Sequence, residues 1–225
     1  LTDPGALKTW FAQRRIGLQN QLANVAAAFT VNPSVTISNG VGVISGTAPI
    51  GAETLAVNGT PWSVRWTSVS NWTALVPLRA GSNFVSVVAL GANGQPLAGA
   101  SNAVSVTYGG AEPSPVDAVV INEIMFNPLV LDAEYVELFN SSSNYLFNLS
   151  GWELNGLNYT FPGGSFIAPR SYLVLAKDRT AFNTAYGAGA VSGARALPVA
   201  RAPRVIAKAA RAAASVVFAV PVIDP

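Results

Sequence analysis

The chain has 225 residues, half of them hydrophobic and only 11% charged, with a formal net charge of +2. It contains neither histidine nor cysteine, which excludes Ser-His-Asp and Cys-His nucleophile systems, zinc sites built from imidazole or thiolate, and any disulfide framework. No apolar run reaches the roughly 20 residues that span a bilayer, and a change of texture near residue 110 favours two small domains over one large one.

The abundance of Gly, Ser, Asn, Thr and Val suits extracellular β-modules better than helical enzymes. The chain opens at Leu1 rather than Met, and the expectation is a fragment of a longer protein. Its first segment, "LTDPGALKTWFAQRRIGLQNQLANV", predicts a helix. Asp3 followed by Pro4 is an N-cap with proline at the first helical position, and Leu7, Phe11, Leu18, Leu22 and Val25 fall at steps of three, four and seven. Trp10 widens this stripe, while Arg14, Arg15, Gln19 and Gln21 are polar. An amphipathic helix needs a surface to pack on, so docking on the following domain or on an upstream one is expected.

Residues 29–108 then read as short strands: "SVTIS", "GVISGTA", "TLAVNG", "WSVRW", "NWTALVPL", "NFVSVVAL" and "NAVSVTY". Asn-Gly at 39–40, 58–59 and 93–94 and Ala-Gly at 80–81 separate them, and Asn-Gly supplies the positive φ angles of tight hairpins. In "NFVSVVAL", Phe84, Ser86 and Val88 alternate with Val85, Val87 and Ala89. About seven strands in so short a stretch predict a sandwich of two antiparallel sheets. Residues 109–117, "GGAEPSPVD", read as a linker. Residues 118–187 predict a second sandwich, with strands "AVVINEIMF", "EYVELFN", "GWELNG", "YTFP" and "SYLVLAK".

The segment 188–225 differs in kind. It holds five basic residues, Arg195, Arg201, Arg204, Lys208 and Arg211, against one acid, Asp224. The basic balance of the chain therefore belongs to its tail. In "RVIAKAARAAA" the spacing of Arg204, Lys208 and Arg211 gives a cationic helical face, which reads either as a contact for a membrane surface or nucleic acid, or as an irregular tail or frame-slip product. The expectation is no nucleic-acid partner and no membrane span.

The segment "VVINEIMFNP…DAEYVELFNSSSNYLFNLSGWELNG…YTFPGGSFIAPRSYLVLAKD" resembles a bacterial lamin-tail domain, with several pieces matching in order over about 70 residues. The resemblance implies a compact immunoglobulin-like β-sandwich of the kind met in nuclear lamins and in secreted or surface bacterial proteins. "WFAQRRIGLQNQL" resembles the last helix of the spore-coat-H kinase-like family, and "GVISGTAPIGAETLAVNGTPWSVRW…NWTALVPLRAGSNFVSVVALGANG" resembles the immunoglobulin-like module that follows it. Lamin-tail domains continue past "LAKD" with further closing strands, and residues 188–225 show no such pattern, so an incomplete sandwich with an exposed edge is expected.

Three glutamates stand inside the strand-like runs "INEIMFN" and "EYVELFN". By strict alternation Glu123 shares a face with Ile121 and Met125, Glu137 shares one with Tyr135 and Phe139, and Glu134 lies opposite unless a bulge intervenes. Glu123 and Glu137 could meet and hold a hard cation such as calcium, or act as a carboxylate pair. Alternatively each caps a loop amide or pairs with Arg170 or Lys177. Trp62, Trp66 and Trp72 around one hairpin could form a sugar-stacking platform, with Trp62 and Trp66 on one strand face, or could pack as core. Trp152 in "LSGWEL" is expected to anchor the second core. The sequons at Asn58, Asn71, Asn140, Asn148 and Asn158 matter only in a glycosylating host.

The resulting expectation is an all-β chain: a helix over 1–28, immunoglobulin-like sandwiches over 29–108 and 118–187 joined by 109–117, and an irregular or partly helical tail over 188–225. The expected role is non-catalytic, without a cofactor unless calcium binds. It is an extracellular or cell-surface spacer and interaction part, whose partners are other protein domains, an upstream kinase-like domain, or surface polymers. A carbohydrate-binding module at Trp62, Trp66 and Trp72, or an accessory part of a kinase-like phosphotransferase, are the alternatives.

Overall fold

A computed structural model describes residues 4–25, 27–32, 34–187, 195–196 and 218–219. The chain divides into two compact units, the first comprising Leu1–Ile37, Gly42–Val76 and Gly81–Tyr108, the second Ser38–Val41, Pro77–Ala80 and Gly109–Pro225. Among the described residues, no helix is long and apolar enough to cross a membrane. The Arg204, Lys208 and Arg211 face and the Asp3 cap lie outside the described residues.

The expected helix forms as α1 (Pro4–Val25). Its described side chains do not dock on the following sandwich: Leu7, Trp10, Phe11, Ile16 and Leu18 are all exposed, and Trp10 and Phe11 meet edge to face at 5.0 Å. The sequence explains this. Arg14 stands seven residues after Leu7 and four before Leu18, inside the stripe, whereas Ile16 falls on the opposite side, so no face of the helix is uniformly apolar.

The first unit is all-β. One sheet runs β1 (Thr30–Val31), β3 (Val41–Thr47), β7 (Asn71–Pro77), β6 (Arg65–Trp66), with β2 (Thr36–Ser38) also paired to β3. The other runs β5 (Thr60–Trp62), β4 (Thr54–Val57), β8 (Gly81–Leu90), β9 (Pro96–Tyr108). Alternation decides which side chains fill the core: Val85, Val87 and Ala89 are buried while Phe84 is exposed, and Trp72, Ala74 and Val76 repeat the pattern on β7. Ile44, Leu55, Val57, Val104 and Val106 add to this buried set.

Asn39-Gly40 and Asn58-Gly59 each place both residues at positive φ, as two-residue hairpins require, but at 93–94 only Gly94 does. Gly46 has a different reason. A Cβ there would lie 1.9 Å from the Thr30 carbonyl oxygen and 2.8 Å from the Trp72 ring, because β1 and the indole both close on this point.

The second unit carries β10 (Val119–Met125), β11 (Tyr135–Asn140), β12 (Phe147–Asn148), β13 (Glu153–Leu154), β14 (Tyr159–Thr160), β15 (Phe166–Ile167), β16 (Tyr172–Ala176), α2 (Arg179–Tyr186), β17 (Arg195–Ala196) and β18 (Phe218–Ala219). Its sheets are β10-β11-β16-β17, β12-β15 and β14-β13-β18. Val119, Val136, Leu138, Phe147, Leu149, Trp152, Leu154, Tyr159, Phe161, Ile167, Leu173 and Leu175 form one core. Trp152 is its expected anchor, 5% exposed.

Two features correct the expectation. The tail is not without strands: β17 pairs with β16 in parallel and β18 pairs with β13 antiparallel, so residues from 188–225 extend two of the sheets. And α2 follows β16, started by Asp178, whose side chain accepts a 2.7 Å hydrogen bond from the Ala181 amide.

The turn after β11 is organised by one buried side chain. Asn140 is fully buried. Its amide donates toward the carbonyls of Tyr145 (2.8 Å), Ile167 (3.2 Å) and Ala168 (3.0 Å), and its Oδ1 accepts from the Ser142 amide at 3.0 Å. Polar groups from two segments, 142–145 and 167–168, thus converge on a single side chain.

Candidate functional site

The three glutamates are placed by a β-bulge. In the β10–β11 ladder Ile121 faces Leu138, then the register shifts, and Glu123 faces Glu137, Ile124 faces Val136 and Met125 faces Tyr135. Asn122 is the extra residue. Strict alternation would put Ile121 and Glu123 on one face. Instead Ile121 and Ile124 both pack on the core, and Glu123 joins Met125 on the outer face.

That outer face reads in rows across β10, β11 and β16: Val120, Phe139 and Tyr172; then Glu123, Glu137 and Val174; then Met125, Tyr135 and Ala176. Phe139 and Tyr172 stack at 4.7 Å. At the other end α2 covers the sheet, with the rings of Phe182 and Tyr186 edge-on to Tyr135 at 5.4 and 5.3 Å. The carboxylates lie between these aromatic groups.

Each carboxylate already has a partner. Asn122 donates its side-chain amide to Glu137 Oε1 at 2.7 Å. The Tyr135 hydroxyl is pushed well above its ordinary 10.0, by burial first and then by its hydrogen bond to Glu123 and the charges of Glu123 and Glu137. Burial, followed by the charges of Glu123 and Glu134, also raises Tyr186. Glu123 and Glu137 are cross-strand neighbours on one face. Among the described residues, however, no group of three or more Asp, Glu, His or Cys is placed to hold a metal ion.

Glu134 stands apart from that pair, in the role of a cation's partner. Lys177 Nζ lies 3.0 Å from Glu134 Oε1 and 2.5 Å from Asp132 Oδ1. The Lys177 backbone amide also donates to the Glu134 carbonyl at 2.9 Å. The Lys177 side chain is largely covered, 10% exposed. Burial disfavours its charge, but the hydrogen bonds to Asp132 and Glu134 outweigh this and hold its pKa above the ordinary value. The second oxygen of Glu134 is buried with no hydrogen-bond partner. The sequence names this lysine as a candidate partner but gives no sign of Asp132, which reaches it from a left-handed backbone position at φ 65°.

The three tryptophans do not form a platform. Trp72 is 1% exposed, stacked on Phe29 at a centroid distance of 6.4 Å, and Trp62 is buried with its indole N–H donating to the Leu75 carbonyl at 2.8 Å. Trp62 and Trp66 do not share a strand face either: "WSVRW" breaks after Trp62, so β5 lies in one sheet and β6 in the other. Trp66 alone is half-buried, paired across the ladder with Trp72.

The family model of the Lamin Tail Domain matches residues 112–211. The match takes in β10 to β17 and ends inside the basic tail, beyond the boundary expected at 187. The lamin tail domain is an immunoglobulin-like protein-interaction module. No curated protein and no solved structure matches the chain.

Proposed function

We propose that the chain is a non-catalytic pair of immunoglobulin-like modules from a secreted or surface-exposed bacterial protein, serving spacing, adhesion and protein–protein contact outside the cell. The observation that carries this reading is the loop between β10 and β11, where Phe126, Leu129 and Leu131 all project into solvent. Three large apolar side chains on one short loop are a contact surface rather than a solvated turn. The carboxylates beside it hydrogen-bond to Asn122, Tyr135 and Lys177.

The test is adsorption of the labelled protein to purified bacterial envelope fractions, with a Leu129→Ser, Leu131→Ser variant as control. Saturable binding that the variant loses supports the reading, provided the variant keeps the wild-type circular dichroism. Binding unchanged in the variant would remove the loop from the contact. Phosphotransfer or hydrolysis by the isolated chain would overturn the non-catalytic part.

The alternative of an accessory role to an upstream kinase-like domain rests on α1, where Leu7, Trp10, Phe11, Ile16 and Leu18 lie exposed. Deleting residues 1–28 from the full protein would then abolish phosphotransfer, and deleting 118–225 would not. A sugar-stacking role retains only Trp66, and an unchanged tryptophan emission across a panel of polysaccharides would end it.

A further inference from the structure

We propose that Lys177 and Asp132 join in an intramolecular amide bond, with Glu134 carrying the protons, so that the second unit staples the entry of β11 to the exit of β16. The geometry is prepared on both sides. Tyr135 is in register with Ala176, and the Lys177 amide bonds the Glu134 carbonyl, so Glu134 and Lys177 leave adjoining strand ends while Asp132 reaches in from the turn before β11. Nζ lies 2.5 Å from Asp132 Oδ1 and 3.0 Å from Glu134 Oε1.

Holding amine and carboxyl at contact replaces a bimolecular encounter by a unimolecular one, equivalent to an effective concentration on the order of 10⁵ M or more when the alignment is good. The two carboxylates hold Lys177 as an ammonium against the cost of its burial, so the amine must be freed by proton transfer to Glu134, and amide formation then replaces one ion pair with a neutral group. Glu134 Oε2 is buried and takes no hydrogen bond from the protein, so its lone pairs are open to the travelling proton.

The atoms balance without a further reactant. Glu134 takes one proton from the Lys177 ammonium and hands it to an Asp132 oxygen. The freed amine pair attacks Cγ of Asp132, forming the C–N bond. A second N–H proton passes through Glu134 to the same oxygen, the C–O bond breaks, and one water leaves through the half-exposed side of Asp132. One hydrogen stays on the amide nitrogen, and Glu134 ends as the carboxylate it began as.

Intact-mass measurement on the denatured full chain decides it. The expected mass is lower than that of the sequence by one water, and proteolysis yields a branched peptide joining Asp132 to Lys177, uncut by trypsin after Lys177. Lys177→Arg, which keeps the cation, and Asp132→Ala both restore the full mass. Glu134→Gln leaves freshly made protein mostly unbonded. A wild-type mass equal to that of the sequence overturns the proposal, as does water loss with no branched peptide or with the branch at Glu134. Bonding in Glu134→Gln as fast as in the wild type overturns the role given to Glu134.

Discussion

Glu123 stands directly opposite Glu137 in the β10–β11 ladder, two carboxylates on one face at one register position. Like charges so placed repel, and cross-strand pairs of this kind are worth about 0.2–1 kcal/mol. Glu137→Gln removes the repulsion and keeps the oxygen that accepts from Asn122. The variant should be more stable by up to about 1 kcal/mol at low ionic strength, and the gain should shrink with added salt. Urea denaturation at two salt concentrations measures both, and a variant less stable than wild type at low salt would contradict the assignment.

Tyr135 sets an alkaline limit. Its folded pKa lies above the ordinary 10.0, so above pH 10 the unfolded chain releases a proton that the folded unit keeps. The stability tied to this hydroxyl is whole below pH 10 and is lost as pH rises through the folded value. Urea midpoints taken on both sides of pH 10 should fall in the wild type and fall less steeply in Tyr135→Phe. Equal slopes would remove Tyr135 from the account and turn attention to Tyr186, whose pKa burial also raises.

Asn140→Asp should be among the most damaging substitutions in the second unit. It replaces an amide that donates toward three carbonyls with a carboxylate that repels them. Losing buried donors of this kind costs about 1–3 kcal/mol each, so a loss near 3 kcal/mol or more is expected at neutral pH, eased in acid as the carboxyl regains a proton. Thermal unfolding at two pH values reads this, and a neutral-pH change under about 1 kcal/mol would refute the organising role.

In the first unit Gly46→Ala is the sharper probe. Its Cβ would meet the backbone oxygen of Thr30, which cannot swing aside as a side chain can. The cost should reach or exceed the upper end of the about 1–3 kcal/mol typical of overpacking, with a shift in tryptophan emission from Trp72. Wild-type stability in the variant would mean that β1 does not close on β3 as described.

Much of this architecture was legible where periodicity is local. The alternation through Val85, Val87 and Ala89 needs only its own strand, and the Asn-Gly turns at 39–40 and 58–59 need only two residues. What escaped depends on partners distant in sequence. Nothing within "WSVRW" shows that Trp62 and Trp66 belong to different sheets, since both halves are equally strand-like and the break is a change of neighbours. The bulge at Asn122 shows only against β11. Asp132 reaches Lys177 from 45 positions away. The helix α2 is different: Asp178 before "RTAF" is a capping signal present in the sequence, overridden by the strand texture around it.

The bulge at Asn122 also bears on solubility. Strand β10 lies at the end of its sheet, where an uninterrupted row of free amides and carbonyls would invite a neighbouring molecule to add a strand. The extra residue breaks that row into Val119–Ile121 and Glu123–Met125, and the charge of Glu123 stands on the second piece. The same residue that keeps Ile121 and Ile124 inside thus guards the open edge of the sheet against an added strand.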